Sequence, residues 1–443
     1  MFKKISIFVL KLLAAAVIIC LGFSLGLYAA GFRYNFSAHK IVKVSLISVR
    51  STPKGANVFL NDKPEGVTPA KIKNVIPGSY TLRVEKAGYE TYQREVQVQE
   101  DIATEENYVE LFQKERSQQV LAEDVSAYYL FNDKNTYLVL DNKEIRKESL
   151  QSGDKKTIYN IPDSATAPKE LKLPFDEKSI LAPPYLFVGN DYQDVVNINQ
   201  IFGIDFEALD FVDDTLYLAG IKDGRLYLLD YMQKVKYPLS DNVENVTSFK
   251  KKVYFQTRDS GKISYYDTGA SAPGGLYVDK IVYRNNLEGQ DEQGEAVTFG
   301  GKIFAELRAG RLFFLSGNGM LIDITSSNSQ LLAKNFTSGD FETLDWFLYL
   351  DGSEIRYYDA GKKKDNVVSR YSEEVRKALW HKDFHNAFFS LGKEIKTVDI
   401  DGMSELSLYS AKIKPLDFQV IFNGDQTSLL ILDGTELSRV RVQ

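Results

Sequence analysis

Two hydrophobic patterns divide the chain. Leu12 to Ala30 is an unbroken run without charge, and Ile5 to Leu10 extends it on the far side of Lys11. Nineteen helical residues rising about 1.5 Å each reach about 28 Å, close to a bilayer's hydrocarbon thickness of about 30 Å. The run predicts one transmembrane helix over residues 5–31, with 1–4 on the cytoplasmic side and Lys11 reaching back toward the headgroups. Beyond it the period becomes two, the signature of strands packed on one face. Ala56, Val58 and Leu60 alternate with Asn57 and Phe59, and Tyr80, Leu82 and Val84 form the apolar face of another strand.

From about Val120 a longer pattern recurs: an apolar strand, a short turn, a second strand rich in Leu, Tyr and Phe, a tight turn and a third strand. The clearest copies are Ala208–Phe211, Thr215–Ala219 and Arg225–Asp230, then Phe341–Asp345, Trp346–Leu350 and Ile355–Asp359. Others are Lys302–Ala305 with Leu312–Leu315, Ala387–Ser390 with Ile395–Val398, and Ser428–Leu432 with Leu437–Val440. Asp223-Gly224, Asp351-Gly352 and Asp433-Gly434 mark the turns, where a tight hairpin needs positive backbone angles. Leu209, Val246, Phe304, Leu344, Leu379 and Leu416 begin successive copies about 35–40 residues apart, with one longer gap. That period is near the 40–45 residues of a four-stranded propeller blade. The longer gap holds Ala270 to Gly301, expected as an inserted loop, and Val125 to Leu209 leaves room for two blades. The count is eight blades, or seven if the proline-rich stretch Ala165 to Pro184 is an insertion. The last copy supplies three strands, and a strand near Gln118 to Ala122 would complete it and leave no open edge.

Composition agrees with a mainly β chain. There are 27 Phe and 26 Tyr in 443 residues, and aromatics suit pleated, half-buried surfaces. A net charge of −6 argues against nucleic acid, which needs clustered Lys and Arg. The single cysteine, Cys20, lies within the apolar run, so the remainder has neither disulfide nor thiol chemistry.

The same run must be weighed as a signal peptide. Cleavage sites prefer an A-x-A-like pattern of small residues, whereas Leu27-Tyr28-Ala29 and Tyr28-Ala29-Ala30 put a bulky residue three before the cut. Ile19 before Cys20 is too large for a lipoprotein site. An uncleaved anchor is the expectation. Lys3, Lys4 and Lys11 on one side balance Arg33, Lys40 and Lys43 on the other, so the basic-residue rule does not orient it.

Gly66 followed by Thr68-Pro69, then Pro77-Gly78 with a strand behind it, then Gly88-Tyr89, carry the most specific signal. Pro64-Glu65-Gly66-Val67 stands ahead of them. In order and spacing these motifs resemble the PEGA domain, a small β module of bacterial and archaeal surface and envelope proteins, with Val67 where the family's tetrapeptide has alanine. The resemblance covers residues 47–112 and implies a β-sandwich, an extracytoplasmic location and a binding or spacing role. No catalytic residue comes with it.

Candidate chemistry is thin. His381 and His385 are four residues apart, a spacing metal ligands exploit on one face of an element, but the zincin glutamate and a third ligand are missing. Asp399-Ile400-Asp401-Gly402 resembles the start of a calcium loop without its later ligands; a turn explains it. Asp213-Asp214 could be an acid/base pair, yet neighbouring carboxylates on a strand point to opposite faces, and a turn is the simpler reading. His39 falls in the juxtamembrane stretch. No nucleophile elbow, phosphate loop or dinucleotide fingerprint occurs.

The expectation is therefore a membrane helix, a linker over 32–46, a sandwich over 47–112 and a propeller over 113–443. It needs no metal or cofactor and no catalytic residue is assigned. The partner is an envelope protein or polysaccharide, and the runner-up is a carbohydrate-active hydrolase or lyase whose carboxylates meet in the propeller channel.

Overall fold

The computed structural model describes residues 2–443 except 37–38, 163–167, 259–262, 270–301, 307–309, 318, 326–329, 342–345, 363, 403, 413–415 and 424–425. The inserted loop expected over Ala270 to Gly301 lies outside the described residues, as does Leu344. The chain forms two compact units. One comprises 1–116 with 424–426 and 442–443; the other comprises 117–423 with 427–441.

The first unit opens with a helix, Phe2–Ala29, whose Leu12–Ala29 stretch has a mean hydropathy of 2.3 and is long and apolar enough to cross a membrane. Residues expected to be linker instead form an antiparallel hairpin, Phe32–Asn35 with Lys40–Lys43. Behind it stands a sandwich. One sheet orders Lys63–Val67, Asn57–Leu60, Gly78–Glu85 and Tyr92–Val98; the other places Ser45–Thr52 between Ala70–Val75 and Thr104–Glu110. Val58, Leu60, Leu82, Val84, Val96 and Val98 meet Ile47, Val49, Ile72, Val75 and Val109 in one core. Thr68 explains its place in the motif: its buried hydroxyl lies 2.7 Å from that of Ser51 and accepts the Ala56 N–H at 3.0 Å, tying the two sheets. Asn61 and Asp62, at φ 48° and 61°, make a two-residue turn. Gly88 takes φ 83°, and Tyr89 after it packs on the core. The strand Thr104–Glu110 was not anticipated. Only its last two residues are buried, so it carries no alternation, and it runs parallel to Ser45–Thr52.

The second unit is a succession of small antiparallel sheets, eight among the described residues. The first holds Val125–Leu130, Thr136–Asp141, Glu144–Ser149 and Lys155–Asn160; the second holds Ile180–Ala182, Tyr185–Val188 and Asp194–Asn197. The third holds Ala208–Phe211, Tyr217–Lys222, Arg225–Asp230 and Val235–Ser240; the fourth, Val243–Phe249, Lys252–Thr257 and Ile263–Asp267. The fifth runs Lys302–Glu306, Arg311–Leu315, Leu321–Asp323 and Gln330–Ala333, and the sixth Ser338–Asp340, Trp346–Asp351, Glu354–Asp359 and Lys364–Arg370. The seventh runs Val375–Trp380, Asn386–Leu391, Glu394–Asp399 and Glu405–Ser410. In the eighth, Leu416–Asn423, Gln426–Asp433 and Glu436–Arg441 are joined by Gln118–Ala122, which pairs antiparallel with Glu436–Arg441.

Burial explains the apolar runs. Second strands are covered on both faces: Asn386–Ser390 and Tyr137–Asp141 are buried at every residue, whereas the fourth strands Lys155–Asn160 and Val235–Ser240 have no buried residue. A strand sandwiched between neighbouring sheets loses its alternation. Each core joins consecutive sheets. Leu138, Ile145, Ile180 and Phe187 join the first to the second, and Phe313, Phe336 and Phe347 join the fifth to the sixth. Ile421, Leu430 and Leu437 join the eighth to Val125, Tyr137 and Val139 of the first, closing the ring. This is a β-propeller-like fold.

Local corrections follow from the turns. Thr215 and Leu216 belong to a turn, not to the strand that begins at Tyr217, and the first strand of the sixth sheet is Ser338–Asp340, ahead of Phe341. Only Asp223-Gly224 is the predicted turn, with φ 50° and 72°. In Asp351-Gly352 and Asp433-Gly434 the aspartate ends the strand and glycine leads the loop, at φ 55° and 69°. Positive φ at the first loop position alone is the sign pattern of a II′ turn, and it requires glycine there.

A further regularity sits at the end of the third strands. Asp230, Asp267, Asp323, Asp359 and Asp399 each close such a strand, and each carboxylate accepts a backbone N–H from the turn that follows: Gln233, Gly269, Thr325, Lys362 and Ser404. Ser149 does the same in the first sheet toward Gln151 and Ser152. Short polar side chains satisfy turn donors in this way.

Candidate functional site

The residues singled out by sequence do not meet in one place. His381 is fully buried at the turn after Val375–Trp380; its Nδ1 lies 3.0 Å from Asp383 Oδ1, and its Nε2 lies 3.4 Å from the Thr427 hydroxyl. His385 sits beyond the same turn with Nδ1 2.7 Å from the Asp383 carbonyl. The pair therefore flanks a turn and shares no face of a helix or strand. Burial would push the Asp383 carboxyl up, but His381, the backbone N–H of His385 and the Asn386 amide outweigh it and hold it below its ordinary range. Asp399 to Gly402 is a turn closed by Gly402 N–H to Asp399 carbonyl at 2.9 Å. His39 follows the first strand of the hairpin that succeeds the apolar helix.

Asp213 and Asp214 stand in the turn between the first two strands of the third sheet, as a turn reading requires. They line a cleft of about 710 Å3 in the second unit. Five stretches build it: Pro174 to Ser179 ahead of the second sheet, Val188-Gly189 at the end of that sheet's middle strand, Phe211 to Leu218 and then Tyr231 of the third, and Lys251 at a turn of the fourth. Phe175 and Leu216 are exposed at 53% and 68%, presenting apolar surface beside Asp176, Asp213, Asp214, Lys178 and Lys251.

The cleft's walls are held from beneath. The Glu177 carboxylate accepts from the Asn132 N–H at 2.8 Å and the Tyr129 hydroxyl at 3.3 Å, while the Tyr192 hydroxyl donates to the Glu177 carbonyl at 2.6 Å. Asp213 accepts the Lys250 N–H on Oδ2 at 2.8 Å, and its own N–H donates to Ser248 Oγ at 3.0 Å. Burial raises the Asp213 carboxyl, the Lys250 N–H opposes it, and the charges of Asp214 and Asp176 raise it further. Lys178 pairs with Asp176 at 3.1 Å.

A second polar set lies on or beside the first strands of the sheets, several of which pack on one another. Lys172 pairs with Asp210 at 3.5 Å, and Lys377 with Asp417 at 2.6 Å. Enclosure pushes the Asp210 carboxyl up against the opposing Lys172 ammonium, although 48% of its side chain meets solvent. Burial, then Asp417, drive the Tyr128 hydroxyl well above its ordinary range. Asn245 donates to the Ile303 carbonyl at 3.2 Å, and Asp340 accepts the Trp380 N–H at 2.8 Å, stitching first strand to first strand.

Sequence reasoning found Asp213-Asp214 but not the cleft around it. Phe175 and Asp176 belong to no motif, and Leu216 reads as part of the strand pattern Thr215–Ala219 although the strand begins at Tyr217.

Residues 44–113 match the PEGA domain family. No curated protein matches the chain. Among solved structures, Sqt1 of Saccharomyces cerevisiae matches at 12% identity over 74% of this chain and 98% of its own, with a TM-score of 0.46. The WD40 domain of SCAP from fission yeast matches at 11% identity over 74% and 98%, with a TM-score of 0.42. Dipeptidyl peptidase 4 of Porphyromonas gingivalis matches at 11% identity over 73% of this chain and 60% of that one, with a TM-score of 0.44. A PEGA domain joined to a propeller-like unit suits binding or scaffolding.

Proposed function

We propose that this protein is a membrane-anchored, non-catalytic binding protein of the cell envelope, with both units on the extracytoplasmic side. The apolar helix serves as an uncleaved anchor, and the propeller-like unit of eight blades holds an envelope protein or polysaccharide. The observation that carries the reading is the cleft at Phe175, Asp213 and Leu216. It offers exposed apolar surface beside charged groups on loops braced by the sheets, the composition of a binding surface.

The test uses the full chain. A photo-crosslinking residue in place of Leu216, activated in living cells, should join the protein to one envelope protein or to polysaccharide. F175A should abolish the product. Crosslinks that are absent, or indifferent to F175A, would refute the assignment.

One observation favours a second reading, a carbohydrate-active hydrolase or lyase. Asp213 is raised and stands near two further carboxylates in an open cleft, and such pairs hydrolyse glycosides. Against it, Asp213 already clamps the Lys250 N–H, and the carboxylates of Asp210 and Asp417 are each paired with lysine. Glycan turnover by the purified protein, abolished by D213N, would reverse the order of the two readings.

A further inference from the structure

The hairpin that replaces the expected linker is joined rigidly to the helix. Gly31, at φ 88°, turns the chain, its N–H donating to the Tyr28 carbonyl at 3.2 Å and its carbonyl accepting from Val44 at 2.9 Å. The Arg33 guanidinium donates to the Tyr28 and Phe32 carbonyls at 2.8 Å each and lies 3.5 Å over the Tyr28 ring. A basic group on the last carbonyls is a favourable helix ending. The hairpin's base is fixed too: Val42 is buried, the Lys43 backbone N–H donates to the Glu100 carboxylate at 2.8 Å, and the Lys43 ammonium pairs with Asp101 at 2.7 Å.

This rigid foot is unusually apolar on its outside. Register pairs Tyr34 with Ile41 across the strands, which puts both on one face. They are 46% and 57% exposed; Phe36, packed edge-on against Tyr34 at 5.0 Å, is 79% exposed, and Tyr28 at the helix end is 60% exposed. Residues 30–44 contain no carboxylate, while Arg33, Lys40 and Lys43 are basic. A soluble surface seldom displays such a group without a partner.

We infer that Tyr28, Tyr34, Phe36 and Ile41 seat in the membrane interface and that Arg33 and Lys40 face anionic lipid headgroups. This rests on the anchor reading above. The headgroup layer is about 5–7 Å deep on each side of the hydrocarbon. The first hairpin strand starts at Phe32, just after the helix ends at Ala29; three extended residues could climb about 10 Å, but the Gly31 N–H and the Arg33 guanidinium both bond the Tyr28 carbonyl, which holds the start of the foot at the helix end, beside that layer. Aromatic side chains favour this depth because the ring is apolar and its rim is wet, and basic residues near an anionic surface add to the attraction. The foot would then fix how the first unit stands on the membrane, where a flexible tether would leave it free.

The experiment places the full chain in nanodiscs of phosphatidylcholine, with or without phosphatidylglycerol, using lipids brominated near the headgroup. Relative to the parent protein, whose own Trp346 and Trp380 lie in the other unit, F36W, with I41W as an independent second reporter, should add blue-shifted emission quenched by the bromines. Phosphatidylglycerol should deepen the quenching, and R33Q with K40Q should remove that gain, about five-fold in the docked ratio for each charge. Unquenched, solvent-like emission from both reporters in protein that resists alkaline extraction would overturn the foot while leaving the anchor intact. Release by alkaline extraction would defeat the anchor and the foot together. Equal quenching in both lipids would overturn the anionic preference.

Discussion

Replacing Arg146 by methionine should destabilise the second unit through one buried carboxylate. Arg146 lies on Glu144–Ser149 and bonds Asp141 at 2.6 Å, Glu144 at 2.6 Å and Glu148 at 3.0 Å. Asp141 also accepts the N–H groups of Lys143 and Glu144, and Glu144 is partly exposed, so neither is stranded by the loss. Glu148 is 2% exposed and would keep only the Tyr137 hydroxyl at 2.6 Å and Lys155 at 3.1 Å. Lys155 is 54% exposed, and such a partner contributes about 0–1 kcal/mol. Removing one partner of a buried pair costs about 3–5 kcal/mol; with this residual support the lower end applies, about 3 kcal/mol. Adding E148Q keeps an acceptor for Tyr137 and removes the charge, so R146M/E148Q should recover more than half of the loss. Trp346 and Trp380 are the protein's two tryptophans and both lie in the second unit, so their fluorescence during urea unfolding of the full chain reports it. The pH dependence has a definite sign. Burial raises the Glu148 carboxyl, but the bonds from Tyr137, Arg146 and Lys155 outweigh it and hold it below the ordinary range. Its contribution is therefore complete above the unfolded value of about 4.3 and is lost as pH falls through the folded value. The gap between wild type and R146M should be full at neutral pH and close in acid. If the double variant is no more stable than R146M, the orphaned charge is not the cause and the reasoning fails.

Asp213 carries the opposite sign. Its folded carboxyl is raised, so stability falls as pH rises past its unfolded value, and D213N should unfold slightly above wild type at neutral pH with the gain gone in acid; a lower melting temperature at pH 7 would contradict this. D359A removes the acceptor of the Lys362 N–H and should cost about 1–2 kcal/mol, seen as a lower urea midpoint and faster amide exchange at that turn, whereas D359N should retain part of it. G339A would set a Cβ 2.7 Å from the Leu348 carbonyl oxygen and 2.7 Å from the Phe336 ring, an overpacking worth about 1–3 kcal/mol that the same fluorescence would register.

The features that sequence determined by itself are those written within a few neighbouring residues. The uncharged run to Ala30 fixed a helix, because length and apolarity suffice for it. The alternation at Ala56–Leu60, the turns at Asn61-Asp62 and Asp223-Gly224 and the Gly88 reversal depend on local backbone angles, and the structure reproduces them. The blade period was legible because each second strand, covered on both faces, is an apolar run, and the closing strand at Gln118–Ala122 was legible because the last copy lacked one. Tertiary structure decided the rest. Thr104–Glu110 has no readable pattern, and it becomes a strand only because Ser45–Thr52 offers an open edge. Residues 32–46 looked like linker because the clamp through Gly31, Arg33 and Val44 is made of single hydrogen bonds that leave no periodicity. The cleft draws Phe175, Asp213 and Lys251 from segments far apart in the chain. Their proximity is set by how successive sheets pack, and side chains facing solvent there carry no hydrophobic pattern to announce it.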